Sequence, residues 1–116
     1  MESYTIISFS RISKNESYEK LKQQREKLNK FINYLESVNS SQKLSAILRN
    51  KIFNSINPIL IVTDLDRLTK KFKNMKFIFK YVKKIYLYDS HIMLDLNNKT
   101  DINYIRDYFI MKKNEK

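Results

Sequence analysis

An arginine and a serine stand two residues apart where an apolar run ends, in the segment FSRIS (residues 9–13). A serine hydroxyl attacks phosphorus only when its target is activated, and phosphoryl transfer depends mainly on positioning and charge stabilisation. The planar arginine fork binds two phosphate oxygens and keeps its charge. Arg11 beside Ser13 therefore indicates a phosphate site, although an ordinary strand end with a loop hydroxyl has the same composition.

A second polar cluster, DLDRLTK (residues 64–70), follows the apolar run ILIVT (residues 59–63). Arg67 from this cluster could clamp a phosphodiester against the hydroxyl of Ser13. Asp66 could hold an arginine in place or act as an acid toward the leaving oxygen. Chemistry of this kind requires no metal ion and no nucleotide, so we expect no cofactor.

The same segment leaves a metal-dependent alternative open. Asp64 and Asp66 form a D-x-D pair after a predicted strand, which resembles the magnesium site of the Toprim fold of topoisomerases and primases. That fold needs a glutamate at the end of its first strand, where this chain has Ser10 and Arg11. We therefore interpret Asp64 as a solvated loop acid and keep a Toprim-like nuclease as an alternative.

The elements that must position these clusters are predicted from hydrophobic periodicity and turn residues. Predicted strands are residues 4–10, 59–63, 85–88 and 92–96. Predicted helices run from an N-cap at Ser17 to Leu35, across 44–56, across 68–82 and onward from a cap at Asp101, with a loop at 37–42. The alternation favours an α/β fold in three layers, with a mainly parallel sheet of four to five strands flanked by helices. Since sites in such sheets lie beyond the carboxyl ends of the strands, the two clusters should meet at one edge.

Composition favours a polyanionic partner. The 116-residue chain carries 23 basic and 12 acidic side chains, a net charge of +11, which attracts phosphate backbones. The abundance of lysine, asparagine and isoleucine is also what an AT-rich genome encodes, so the arginines are more informative than the lysines.

Several classes of site and location are disfavoured by composition. The chain has no cysteine, which excludes disulfides and thiolate chemistry, and His91 is its single histidine, which we interpret as a strand or turn residue. No apolar run approaches the length of a membrane-spanning helix, and the first residues lack the pattern of a signal peptide. We expect a cytoplasmic protein, or one located wherever its target DNA resides, with no membrane partner.

Four segments of the chain resemble the catalytic domain of serine recombinases, the resolvase and invertase group. FSRIS is similar to the Tyr-x-Arg-x-Ser segment that ends their first strand, and KQQREKL (residues 22–28) to their first helix. IVTDLDRLTK (residues 61–70) resembles their Leu-Asp-Arg-Leu segment, and YLYDSHIMLD (residues 86–95) their later strand pair. The resemblance covers about residues 4–110 and implies a resolvase-like fold.

The resemblance implies a role for each residue of the two clusters. Ser13 would be the nucleophile that forms a 5′-phosphoserine bond to DNA, and Arg11 and Arg67 would contact the scissile phosphate. Gln24 and Asp66 would complete the site. The implied reaction is DNA cleavage and rejoining in site-specific recombination.

The chain departs from the family pattern at two positions of the site. The tyrosine at the end of the family's first strand is Phe9 here, so a hydroxyl is missing, and the second arginine after Leu-Asp-Arg-Leu is Lys70, a point charge. These departures leave an alternative from another class. The chain could be a non-catalytic module of the same fold that binds nucleic acid or forms oligomers.

Further cations are candidates for contact with DNA. The family has an arginine early in the helix before the central strand; by spacing the nearest match is Lys43, and Arg49 is the other candidate. Lys71 and Lys73, which follow the second cluster, are further candidates. A row of lysines on one face of the predicted third helix could track the DNA backbone, although such a row is usually a solvated surface: Lys73, Lys76, Lys80 and Lys83.

The domain organisation expected from the resemblance is a resolvase-like core over residues 1–100 and a shortened C-terminal helix over residues 101–116. No DNA-binding domain follows in this sequence. In the family that helix carries the dimer contact, so we expect a homo-oligomer, from dimer to tetramer, or association with a fuller recombinase.

Overall fold

The chain forms a five-stranded, mostly parallel β-sheet with four flanking α-helices, seen in a computed structural model that describes residues 3–39 and 43–114. The strands are β1 (Thr5–Ile12), β2 (Tyr34–Val38), β3 (Pro58–Val62), β4 (Lys84–Leu87) and β5 (Ile92–Asp95). The helices are α1 (Tyr18–Leu28), α2 (Ala46–Phe53), α3 (Met75–Tyr81) and α4 (Lys99–Asn114). This architecture confirms the predicted α/β fold class.

The strand order in the sheet is β2-β1-β3-β4-β5. The first four strands run parallel, and β5 returns antiparallel to β4 at one edge. β1 and β3 are therefore adjacent in the middle of the sheet, and the residues that follow them emerge at the same edge. The register pairs Ser8 with Ile61, so β1 extends beyond the end of β3 and Arg11 lies beside the loop that follows β3.

The helices cover the two faces of the sheet unequally. Because successive side chains of a strand point to opposite faces, Ile7 and Phe9 of β1 share one face. They belong to the main core cluster, which also contains buried side chains of α2, α3 and α4. α1 packs against β1, and its buried Leu21 and Leu28 lie outside that cluster, as expected if it covers the opposite face. This arrangement agrees with right-handed crossovers leaving β1 in one direction and β2 in the other.

The predicted first helix is wrong beyond Leu28. The stripe from Tyr18 to Leu35 has a helical period, but the helix ends at Leu28 and residues 34–38 form strand β2. Asn33 takes a left-handed backbone (φ 56°), which asparagine tolerates, and this turn starts the strand. The five residue pairs that β2 forms with β1 stabilise this segment as a strand more than continuation of the helix would. The predicted loop at 37–42 therefore begins inside β2, and residues 40–42 lie outside the described residues.

The predicted third helix, residues 68–82, is shorter in the structure. A 3-10 turn at Leu65–Arg67 and another at Phe72–Asn74 precede α3, which begins at Met75. The Thr69 hydroxyl accepts hydrogen bonds from the Lys71 backbone and from the Asn74 amide, which competes with helical bonding over this segment.

Two terminal assignments also differ from the sequence prediction. β1 continues to Ile12, so Arg11 lies inside the strand and only Ser13 follows it. α4 begins before Asp101, because the Asn98 side chain accepts from the backbone of Thr100 and caps the helix. Asp101 instead accepts from the backbone of Asp95, which ties α4 to β5.

Ile105 and Phe109 of α4 are buried in the main core. Ile110 and Met111 remain exposed on the outside of the helix. The oligomer contact that the resemblance implies for this helix stays a prediction. Within residues 3–39 and 43–114, no helix combines the length and the apolar character needed to cross a membrane.

Candidate active site at the carboxyl edge of the sheet

The two polar clusters meet where β1 and β3 end, as predicted. Arg11 is almost fully buried, with 1% of its surface exposed. Its Nε donates to the Arg67 carbonyl at 3.1 Å and its Nη2 donates to the Asp66 carbonyl at 2.9 Å. The Arg11 guanidinium therefore stabilises the loop after β3 and fixes the backbone position of Arg67.

Gln24 of α1 holds the other side of Arg11. Its Oε1 accepts from the Arg11 backbone N–H at 3.0 Å, and its Nε2 donates to the Arg11 carbonyl at 2.9 Å. The amide thus pairs with the Arg11 peptide in the way a neighbouring strand would. This pairing fixes the end of β1 against α1. The part predicted for Gln24 in a catalytic site stays a prediction.

Arg67 forms an ion pair with the carboxylate of Glu16, which is not among the site residues predicted from the sequence. Its Nη1 donates to both oxygens of Glu16, at 3.1 and 2.9 Å, and to the Arg11 carbonyl at 3.1 Å. Glu16 Oε1 also accepts from the Ser13 backbone N–H at 3.0 Å. Ser13 and Arg67 are therefore joined through one carboxylate, and a phosphate entering the site has to compete with Glu16 for the guanidinium.

A sequence signal for Glu16 exists. Ser13 and Glu16 have the spacing of a capping box, in which the glutamate reaches back to the serine N–H. The Glu16 N–H also donates to the Ser13 carbonyl at 3.1 Å, so the four residues form a turn. This turn exposes part of Ser13 beyond the end of β1.

The electrostatics of the site reflect burial and crowded charge. Burial, followed by the neighbouring Arg67 charge, lowers the pKa of Arg11. Burial opposes ionisation of Glu16, but the Ser13 N–H and Arg67 outweigh it and lower the pKa of this carboxyl. Arg11 Nη1 is buried with no hydrogen-bond partner among the described residues. Contact of Arg11 with phosphate stays a prediction, because the guanidinium faces the loop in this structure.

Asp64 and Asp66 form a proton-sharing pair. Burial, the hydrogen bond with Asp66 and the Asp66 charge raise the pKa of Asp64 to about 7. Burial opposes ionisation of Asp66, but the hydrogen bond from Asp64 and the charges of Lys70 and Arg67 outweigh it and lower its pKa. Asp64 is partly buried and its pKa lies well above that of a solvated aspartate, which corrects its interpretation as a solvated loop acid.

Asp66 does not hold an arginine through its carboxylate. Its backbone carbonyl bonds to Arg11, and its side chain pairs with Lys70, whose Nζ lies 3.6 Å from Oδ2. Lys70 is also close to the site by this contact, with about half of its side chain exposed. The Asp64 side chain accepts from the Asp66 backbone N–H at 3.1 Å and caps the 3-10 turn that carries Arg67.

A second polar network stabilises β2 beside the site. Arg25 makes a bidentate ion pair with Glu36, with both N–O distances at 2.8 Å. The Tyr34 hydroxyl donates to Glu36 at 2.6 Å and lies 3.0 Å from the Ser10 hydroxyl. Burial and the Glu36 carboxylate raise the pKa of Tyr34 to about 12. Arg25 therefore has a structural role, since it joins α1 to β2. This role could not be predicted from the sequence, because the sequence did not predict strand β2.

The remaining predicted positions spread over the surface. Lys43, Lys71 and Lys73 are exposed, and the DNA contacts predicted for them are untested. Arg49 lies over the ring of Phe77, 5.4 Å from its centroid, on the side of the sheet covered by α2 and α3.

The other two positions belong to the scaffold. Phe9 is fully buried and belongs to the main core cluster. His91 lies in the turn between β4 and β5, as predicted.

Known proteins supply no assignment for this arrangement. No protein-family model matches the chain, and neither the curated proteins nor the solved structures contain a match. Within residues 3–39 and 43–114, no three carboxylate, histidine or cysteine side chains form a group that could hold a metal ion. The roles of these residues therefore have to be argued from their contacts alone.

Proposed function

We propose that this chain is a serine-recombinase-like catalytic domain that cleaves and rejoins DNA through a 5′-phosphoserine at Ser13. The observation that carries the proposal is the linkage of Ser13 and Arg67 through Glu16 at the carboxyl edge of the sheet. A partly exposed serine and a positioned guanidinium are the two components that metal-free phosphoryl transfer needs. DNA is the proposed partner because the chain has a net charge of +11.

In the proposed reaction the Ser13 hydroxyl oxygen bonds to phosphorus and loses its proton to solvent, and the bond from phosphorus to the 3′ oxygen breaks. The leaving 3′ oxygen takes up a proton and becomes a hydroxyl. The pair formed by Asp64 and Asp66 holds an exchangeable proton near neutral pH and is the proposed source of that proton. Rejoining is the reverse attack of a 3′ hydroxyl on the phosphoserine.

Arg67 is the residue proposed to stabilise the charge that develops on phosphorus. Its guanidinium is now held by Glu16, at 2.9 Å, and its backbone carbonyl is held by Arg11. A phosphodiester that displaced Glu16 would meet a guanidinium already fixed by its own loop. Removing one positioned charge from such a site typically lowers the rate on the order of 10²–10³.

The test is covalent capture on a nicked suicide DNA substrate, from which the cleaved strand cannot be rejoined. The wild-type chain should form a covalent protein–DNA adduct in excess EDTA, and Ser13→Ala should form none while binding DNA within a few-fold of wild type. Ser17→Ala changes a nearby exposed hydroxyl and serves as the control that keeps the adduct. Cleavage that is lost in EDTA and restored by magnesium would instead support the Toprim-like alternative.

A second function is favoured by one observation. Arg11 is buried against the loop and Arg67 is neutralised by Glu16, so neither guanidinium is free for phosphate in this arrangement. A non-catalytic DNA-binding module of the same fold would have these contacts. It would bind the suicide substrate without forming any adduct, whatever residue stands at position 13.

A further inference from the structure

Helices α2 and α3 enclose a groove of about 570 Å³ on the face of the sheet that α1 does not cover. Its α2 wall is a stripe of residues spaced by three and four positions, and this spacing places side chains on one helical face. The side chains that determine its chemistry are Arg49 and Phe53 of α2 and Lys76, Phe77, Lys80 and Tyr81 of α3. The groove is therefore lined by cations and aromatic rings together.

The aromatic rings form one connected group. Phe53 and Tyr81 meet edge to face with their centroids 5.7 Å apart, and Phe77 and Tyr81 are 4.7 Å apart. Phe53 is 64% exposed, although a ring of this size is usually buried. The groove thus presents an open aromatic surface that the described residues leave uncovered.

All the charged side chains that line the groove are basic. Arg49, Lys76 and Lys80 line it, and none of its lining residues is acidic. In the part of the chain that the structure describes, none of these three cations has a carboxylate within ion-pair distance. Arg49 lies over Phe77 and Lys80 lies 5.3 Å from the centroid of Tyr81, so the cations are held beside the rings. The ligand that complements this groove carries negative charge and flat faces.

We propose that the groove binds single-stranded DNA, with bases stacked against Phe53 and Tyr81 and phosphates held by Arg49, Lys76 and Lys80. Stacking on aromatic side chains within a basic groove is how single strands are bound without sequence preference. A duplex would offer its phosphates but not its base faces, which are already stacked, and an acidic peptide would leave the rings uncovered. The α2 stripe extends for about 10 Å, enough for a short stretch of a strand.

The groove is separate from the Ser13 site, and the choice of DNA over RNA rests on the proposed function. Failure of the two proposals can be distinguished. Ser13→Ala should leave groove binding unchanged, and loss of groove binding should leave covalent capture at Ser13 possible. Oligouridylate bound much more tightly than oligothymidylate would overturn the choice of DNA without bearing on Ser13.

The test is fluorescence anisotropy with a labelled oligothymidylate and with a duplex of the same length. Phe53→Ala should weaken binding of the single strand on the order of tenfold, because one stacking platform is lost, and should leave duplex binding unchanged. Ile56→Ala, which removes an equally exposed apolar side chain outside the groove, is the matched control and should change neither. Equal effects of Phe53→Ala and Ile56→Ala on the single strand would overturn the proposal.

The charged part of the groove is tested by reversal of one lysine. Lys80→Glu should weaken binding of the single strand several-fold more than Lys22→Glu, which makes the same charge change on exposed α1. Both positions are exposed, and circular dichroism checks that each variant folds. Equal losses in the two variants would mean general electrostatic attraction and would overturn the proposal, as would competition by polyglutamate as effective as that by the oligonucleotide.

Discussion

Glu16 determines the resting state of Arg67. The carboxylate accepts from Arg67 and from the Ser13 N–H, and the side chains of both partners in the ion pair are only 17% exposed. Such charge-assisted hydrogen bonds contribute about 1.5–3 kcal/mol each when they are largely shielded from water. The same contact that orders the Ser13 turn thus reduces the charge available to a phosphate.

Removal of the Glu16 charge should therefore increase DNA affinity and lower stability together. Glu16→Gln keeps the size of the side chain but releases Arg67, so we expect tighter binding of DNA and a free energy of unfolding lower by about 1–2 kcal/mol. Binding titration and urea denaturation measure the two effects. Glu19→Gln makes the same charge change at an exposed position and should raise affinity much less. Equal gains in affinity would show that only net charge matters.

The proton held by Asp64 makes a pH-dependent contribution to stability. The pKa of Asp64 is raised to about 7, whereas an unfolded aspartate has a pKa of about 3.9. The folded state therefore binds more protons between these values, and this contribution to stability declines as pH rises from about 4 to about 7.

Asp64→Asn should abolish that decline. The stability of the wild type relative to Asp64→Asn should fall between about pH 4 and about pH 7, measured by urea denaturation across the pH range. Asp107→Asn changes an exposed aspartate of α4 and is the control. If the difference between wild type and Asp64→Asn stays constant across this range, Asp64 does not hold the proton.

At the scale of elements, the contact of α1 with the end of β1 depends on a side-chain amide. Gln24 is buried and satisfies both the N–H and the carbonyl of Arg11. The carbonyl also accepts from Arg67, whereas the N–H has only this partner among the described contacts. Loss of the amide would leave a buried donor without a partner, which typically costs about 1–3 kcal/mol.

Gln24→Leu should lower the free energy of unfolding by about 1–3 kcal/mol, although leucine is similar in size. Gln23→Leu, at the exposed neighbouring position, should change it by less than about 0.5 kcal/mol. Urea denaturation compares the two variants. A smaller loss at position 24 than at position 23 would contradict the role of this amide in fixing β1.

The fold could be predicted from the sequence where the apolar pattern and the length of a segment indicated the same type of element. The run at residues 59–63 and the two short strands before α4 are predicted for this reason, with bounds that differ from the observed ones by at most one residue. β2 was missed because residues from Tyr18 to Leu35 have a helical period by coincidence. Tyr18 and Ile32 are in fact 71% and 68% exposed, so the apparent stripe is not a buried face.

The candidate site was predictable in its location but not in its contacts. Parallel strands emerge at a common edge, so the meeting of Arg11 with the Arg67 loop followed from topology. The ion pair with Glu16 and the proton on Asp64 depend on side-chain distances that spacing alone does not determine. Only the Ser13–Glu16 capping pattern could have indicated part of this arrangement.

At the scale of the whole molecule, the net charge and the loop lysines would both attract the proposed DNA partner. A charge of +11 attracts DNA of any sequence, and each neutralised phosphate of duplex DNA adds about 0.9 to the slope of log affinity against log salt. Lys71 and Lys73 are exposed just after the Arg67 loop, where they are predicted to contact the backbone.

Lys71→Ala combined with Lys73→Ala should reduce that slope by about 2, since each lysine that contacts a phosphate contributes about 1. Lys22→Ala combined with Lys99→Ala removes the same charge from exposed positions on α1 and α4 and is the matched control. Binding of a duplex over a range of salt concentrations measures both slopes. Identical slopes for the two double variants would remove Lys71 and Lys73 from the DNA interface.

The most direct test of the proposed chemistry is the position of the DNA phosphate on the protein. The adduct from a suicide substrate is digested with nuclease and protease, and the peptide that retains the nucleotide is sequenced by mass spectrometry. The proposal predicts a 5′-phosphodiester on Ser13, unchanged in Ser10→Ala and Ser17→Ala. A nucleotide attached to another residue, or strand cleavage with no covalent peptide at all, would contradict it.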